Sequence, residues 1–162
     1  MAGASVAGLR ELDDAADGYT LKYPGSWTAV GGATSAGSEG HVLRIEGQNA
    51  FSIQTFPLER SVPRPNISDM RAVTDAILSS PSAKLTVLEV RQIEISGLPA
   101  IYYLYYFPSG KQRGIHAHYF IFDGTRMDTL IFQVVPASDF SRYASQFDQV
   151  VSSFKPTSQQ VP

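Results

Sequence analysis

The sequence predicts an α+β domain built on a mainly antiparallel sheet. Three observations carry that expectation. Extended segments with period-two alternation are joined by short turn signals, Asp123-Gly124 being the strongest hairpin marker. Helical spacing shows in one stretch near the middle of the chain and one at the end. Residues 101–107, Ile-Tyr-Tyr-Leu-Tyr-Tyr-Phe, are apolar at both alternating sets of positions, so they belong in a sheet covered on both faces. Strands, helix, hairpin-linked strands, helix is an α+β order.

In chain order, residues 1–16 read as a flexible arm, with Leu9 and Leu12 on one short helical face among Glu11, Asp13 and Asp14. Thr20 to Tyr23 alternate like a strand that Pro24-Gly25 breaks, and Trp27 restarts a short apolar segment. Residues 31–40 hold four glycines and read as a loop. Residues 42–45 and 50–56 form a hairpin about Gly47-Gln48-Asn49. Residues 57–66, with three prolines, Arg60 and Arg64, form a surface connection. Ser68 is placed to cap a helix with Met70, Val73, Ile77 and Leu78 on its apolar face. Residues 79–81 stop it. Residues 85–95 are extended with mixed phase, which predicts a bulge near Glu89. Gly97-Leu98-Pro99 and Pro108-Ser109-Gly110 flank the apolar strand as turns, and 115–122 and 127–135 are two further strands. Ser138 and Asp139 cap a last helix whose stripe is Phe140, Tyr143, Phe147, Val150, Val151 and Phe154. Residues 157–162 are a tail.

Composition removes several function classes. The chain has 162 residues, one domain's worth, with 13 Lys+Arg against 15 Asp+Glu and a net charge of −2. A sequence that is 43% hydrophobic with so small a charge is not disordered. A pI near 5.9 without a basic run argues against nucleic-acid binding by bulk charge. No 18-residue apolar stretch spans a membrane. Absence of cysteine removes disulfides, thiol catalysis and Cys-based zinc sites. The small, uncharged residues 1–9 lack the marks of a secretory signal, which fits a cytosolic protein or a mature exported domain.

No motif points to catalysis. Gly-x-Ser-x-Gly and both glycine-rich phosphate cradles are missing. His116-x-His118 is the metal candidate, because strand residues two apart face the same way. The ion would be zinc, manganese or calcium, with His41 or Asp128 as a third ligand. Two ligands do not close a site, so partly exposed strand histidines are the plainer reading. The acidic arm reads as solvated charge. The tyrosines at 102, 103, 105 and 106 line either a pocket or, by default, the core. Arg60 with Arg64, and Lys111 with Arg113, are loop cations placed for an acidic partner or simply exposed.

Asp17-Gly18-Tyr19-Thr20-Leu21-Lys22-Tyr23-Pro24-Gly25-Ser26-Trp27 resembles the opening of PsbP-domain proteins, the family of an extrinsic lumenal subunit of photosystem II. Gly40-His41-Val42-Leu43-Arg44, the stretch from Asn49 to Pro57, Ile101-Tyr102-Tyr103-Leu104-Tyr105-Tyr106, Asp123-Gly124-Thr125-Arg126-Met127 and Val151-Ser152-Ser153-Phe154 are similar to later pieces of that family, in order. The resemblance covers residues 17–156. It implies an α/β/α sandwich around the antiparallel sheet and a non-enzymatic protein of the chloroplast or cyanobacterial thylakoid lumen. Such a protein is peripheral to the membrane and monomeric, and acts as an auxiliary or assembly factor on lumenal surfaces of photosystem subunits. The family's link to the oxygen-evolving complex raises calcium binding as an expectation. The long basic arm of the photosystem II subunit has no counterpart in the acidic residues 1–16, which favours a PsbP-like paralogue. The same fold serves a Ran-binding import factor and bacterial lipoproteins of the LpqN type, so a small-ligand or metal carrier and an exported lipoprotein domain stand as alternatives.

Overall fold

Seven strands form the main sheet in a computed structural model that describes residues 8–30, 40–58, 67–78 and 84–157. They are β3 (Thr28–Ala29), β4 (His41–Glu46), β5 (Asn49–Pro57), β6 (Thr86–Ile95), β7 (Leu98–Ser109), β8 (Gln112–Asp123) and β9 (Arg126–Val134), in the order β3-β4-β5-β9-β8-β7-β6. Every pairing is antiparallel. A smaller sheet joins β1 (Leu9–Asp14), β2 (Tyr19–Pro24) and β10 (Lys155–Pro156), with β2 in the middle.

The two faces of the main sheet carry two cores, as the apolar double alternation of β7 requires. Tyr102, Ala117, Tyr119, Ile121, Leu130 and Phe132 point one way, toward the small sheet and α2 (Ala144–Ser153). Phe51, Phe132 and Phe147 stack there, at 4.7 Å and 4.4 Å between successive rings, and Trp27 meets Phe147 edge-on. Ile101, Tyr103, Tyr105, Phe120 and Phe122 point the other way, toward α1 (Ile67–Leu78). The Tyr103 hydroxyl fastens α1 to β7 by donating to Asp75 Oδ1 at 2.6 Å, beside Thr74. Helices therefore flank the sheet on both sides, the α+β sandwich that the sequence predicts.

Four local expectations differ from the structure. Residues 9–14 are not a helical turn in a loose arm. They form β1, paired along its whole length with β2 from Leu9↔Pro24 to Asp14↔Tyr19. The three-residue Leu9–Leu12 spacing suggested a helix, but strand pairing decided the conformation. Ser68 lies inside the first turn of α1, which opens at Ile67, so it does not cap it. The last helix is divided: Ser138 and Asp139 sit in a 3-10 helix, Ala137–Arg142, and α2 begins after Tyr143. Pro99 and Pro108 are strand residues. The first turn is Ser96-Gly97, both with positive φ (51° and 81°), the pattern of a two-residue hairpin turn. The bulge expected near Glu89 lies between Val87 and Glu89. The readings for residues 1–7, 31–39, 59–66, 79–83 and 158–162 fall outside the described residues.

Candidate functional site

His116 and His118 do share a face of β8, with Tyr105 opposite them on β7. Their geometry is a closed hydrogen-bond chain rather than an open pair of ligands. Gln133 Nε2 donates to the Gln48 carbonyl at 2.8 Å, which turns Gln133 Oε1 toward His116. His116 Nε2–H then donates to that oxygen at 2.9 Å, leaving His116 Nδ1 as an acceptor. The single Tyr105 hydroxyl proton goes to His116 Nδ1 at 3.0 Å, so His118 Nδ1–H donates to the Tyr105 oxygen, also at 3.0 Å. His118 Nε2 is left as a bare lone pair, buried and without a partner among the described residues. Its ring stacks on Phe120 with centroids 4.1 Å apart.

Such surroundings keep both rings neutral. Burial, then the neighbouring His116, pushes the His118 imidazole down to about 3. Burial also lowers His116, against the opposing hydrogen bond to Gln133. His41 and Asp128 do not join them. Asp128 pairs with Ile121 and faces the opposite core, and His41 bonds to Asp14 of β1. Among the described residues no group of three or more His, Asp or Glu is placed to hold a metal ion. The tyrosines are divided between the two cores, with Tyr103 and Tyr105 on one face and Tyr102 on the other. A groove of about 460 Å³ opens between β6 and α2, where Arg91, Glu94, Ser96, Tyr119 and Asp148 line it.

Lys111 and Arg113 stand exposed on the β7–β8 hairpin, with the Arg113 guanidinium 3.6 Å above the Tyr106 ring. Ser109 reaches Gln48 at 3.4 Å, so the tips of this hairpin and of the β4–β5 hairpin meet at one end of the sheet. Arg60 and Arg64 lie outside the described residues.

Sequence reasoning missed a polar cluster at the other end, where the β1–β2 turn lies on the main sheet. Asp14 Oδ2 meets His41 Nε2 at 2.8 Å, and its Oδ1 accepts the Asp17 N–H at 2.9 Å. Burial raises the Asp14 carboxyl, but His41 and the Asp17 amide outweigh it and hold the group below the usual carboxylate range. Asp128, only 2% exposed, accepts the Thr55 hydroxyl proton. Burial pushes its carboxyl up to about 7, against Thr55 and Arg126 and with Asp123 and Asp17. Arg126 donates to the Asp17 carbonyl and lies 3.6 Å from Asp123. Tyr19, fully buried, holds its hydroxyl in the field of Asp14, Asp128 and Asp17; burial and these carboxylates raise it. One signal for the cluster lies in the sequence: Asp128 is the one carboxylate within β9, at a position that alternates with the core residues Leu130 and Phe132.

The chain covers 95% of its own length and 95% of the solution structure of cyanobacterial PsbP (CyanoP) from Synechocystis, with a TM-score of 0.67 and 20% identity. It also resembles LpqN of Mycobacterium tuberculosis, a protein involved in cell envelope biogenesis, at 10% identity and a TM-score of 0.63, over 97% and 96% of the two chains. A Pseudomonas aeruginosa protein described as a putative regulator matches at 14% identity and 0.56, over 91% and 96%. At these identities the likeness is one of fold. No curated protein matches the chain. The PsbP family model matches residues 7–156, which takes in β1 through β10, and the chain therefore belongs to the PsbP family.

Proposed function

We propose that this protein is a non-enzymatic docking module of a photosynthetic membrane, peripheral in the thylakoid lumen, serving photosystem II as an auxiliary or assembly factor. The observation that carries this reading is the family match over residues 7–156. The geometry agrees with it. The histidines are occupied by Tyr105 and Gln133 rather than set beside a nucleophile, and no described helix is long and apolar enough to cross a membrane. Docking runs through hairpin tips held by a rigid sheet, with Lys111 and Arg113 offered to an acidic surface. A monomer suffices for this role.

The test is a pull-down of the tagged protein from gently solubilised membranes of its own host, read by mass spectrometry. Recovery of photosystem subunits or assembly intermediates is the expected result. Recovery of the protein alone, free in the soluble fraction, overturns it, and a host without photosystems moves the reading to an envelope role of the LpqN kind. A second reading, a small-ligand or divalent-metal carrier, rests on the bare Nε2 of His118. Calorimetry with zinc, manganese and calcium tests it, and no heat with no thermal shift ends it.

A further inference from the structure

The turn of the β1–β2 hairpin rests on the main sheet through groups that carry or lose charge. From the hairpin come Asp14, Asp17 and Tyr19; from β4, His41; from β5, the neutral Thr55; and from the β8–β9 hairpin, Asp123, Arg126 and Asp128. β10 brings only Lys155, which is exposed, and closes on the hairpin by the bond from Thr157 N–H to the Gly18 carbonyl, 2.8 Å long. Two features make this junction different from ordinary packing. Asp128 is buried with a neutral hydroxyl as its hydrogen-bond partner. The guanidinium of Arg126 is engaged by the Asp17 carbonyl and by Asp123.

We propose that the β1–β2 hairpin is a proton-governed clasp, closed on the main sheet while Asp128 is protonated and loosened when that carboxyl ionises. Protonated, Asp128 is a neutral group that accepts from Thr55 and adds no charge to a site already holding Asp14, Asp17 and Asp123. Ionised, it is a fourth carboxylate sealed from water, beside an Arg126 guanidinium already engaged by Asp17 and Asp123, while His41 is taken up by Asp14. Lifting the hairpin admits water to that carboxylate and separates it from Asp14 and Asp17. Burial holds the Asp128 carboxyl near neutrality when the clasp is closed, and exposure returns it to the ordinary carboxylate range, so the grip weakens as pH rises toward 7 and changes little above it. The histidine pair on the opposite face stays buried in both states.

Hydrogen exchange of the full chain, read by mass spectrometry at pH 5, 6 and 7 and corrected for intrinsic exchange rates, tests the clasp. Protection in residues 9–24 is expected to fall by up to about tenfold per pH unit, about a hundredfold from pH 5 to 7, while peptides of β7 and β8 do not follow. Asp128→Asn, which keeps the neutral state, is expected to hold the pH 5 protection throughout. Equal protection of the hairpin at pH 5 and 7, or the same fall in D128N, overturns the proposal. If D128N does not fold, a carbon-13 titration of the Asp128 carboxyl in the wild-type protein decides. A midpoint near neutrality that tracks hairpin protection supports the clasp, and one in the ordinary carboxylate range sinks it.

Discussion

Replacing Asp128 or His118 separately should expose two pH dependences that hide each other in the wild-type protein. The Asp128 carboxyl is raised from 3.8 to about 7, so the folded protein holds a proton that the unfolded chain has released. Its contribution to stability is complete below pH 4 and is lost as pH rises to 7. The His118 ring is lowered from 6.5 to about 3, so the folded protein lacks a proton that the unfolded chain takes up. Its contribution is complete above pH 6.5 and is lost as pH falls toward 3. At about 1.4 kcal/mol for each tenfold step in proton affinity, the two displacements correspond to about 4 and about 5 kcal/mol. Between pH 4.5 and 6 both act at full slope and with opposite sign. The wild-type protein should therefore be nearly level there, tilted upward only by His116, which is lowered in the same sense. Asp128→Asn removes the falling component, so its stability should rise by about 1.4 kcal/mol per pH unit. His118→Asn, whose amide takes the place of Nδ1 beside Tyr105, should show the reverse fall. Urea unfolding followed by fluorescence of Trp27, the single tryptophan, at pH 4.5, 5.25 and 6 gives the three slopes. If both variants run parallel to the wild-type line, neither group is displaced as argued and the reasoning fails.

Three further outcomes are expected. Tyr105→Phe leaves His118 Nδ1–H without its acceptor inside the core, which should cost about 1–3 kcal/mol and show as a lower urea midpoint, with nitrogen-15 shifts reporting altered imidazole tautomers. Gly18→Ala sets a side chain at φ 79° with its Cβ 2.6 Å from the Arg126 guanidinium, and should lose about 1–2 kcal/mol for the backbone plus the Arg126 contact. Gly110→Ala, at φ 61° with open space around it, should lose the backbone part alone, and thermal melts compare the two. Reversing charge with Lys111→Glu and Arg113→Glu should change stability by no more than about 1 kcal/mol, since the residues are exposed and give up one cation–π contact, yet, under the docking role proposed above, should abolish co-purification with photosystem subunits.

The elements that were legible in the sequence are those whose signal is local. Residues 101–107 show burial on both faces without reference to any partner, and Asp123-Gly124 marks its own hairpin. The mixed phase around Glu89 reports the bulge that causes it. β1 was not legible, because its six residues have weak alternation and take their conformation from pairing with β2. The His116–His118 pair was placed on one face by counting, yet its chemistry depends on Tyr105, Gln133 and Gln48. Those three come from β7, β9 and the β4–β5 turn, and no spacing rule connects them. The Asp128 cluster is more scattered still: its members come from four segments between residues 14 and 128, and each alone looks like an ordinary surface or strand residue.

Global and local opening should therefore respond to pH differently in this fold. Unfolding the whole chain exposes both Asp128 and His118, and their opposed proton uptake leaves little net dependence. Lifting only the β1–β2 hairpin exposes Asp128 on one face of the sheet, while His118 stays packed against Phe120 on the other. The compensation is then absent, and local opening carries the full dependence of a single carboxyl. A buried acid on one face and a buried base on the other thus let the protein keep a level overall stability while one of its edges responds to protons. In the docking role proposed above, that separation would let the hairpin's availability change with pH without placing the main sheet at risk.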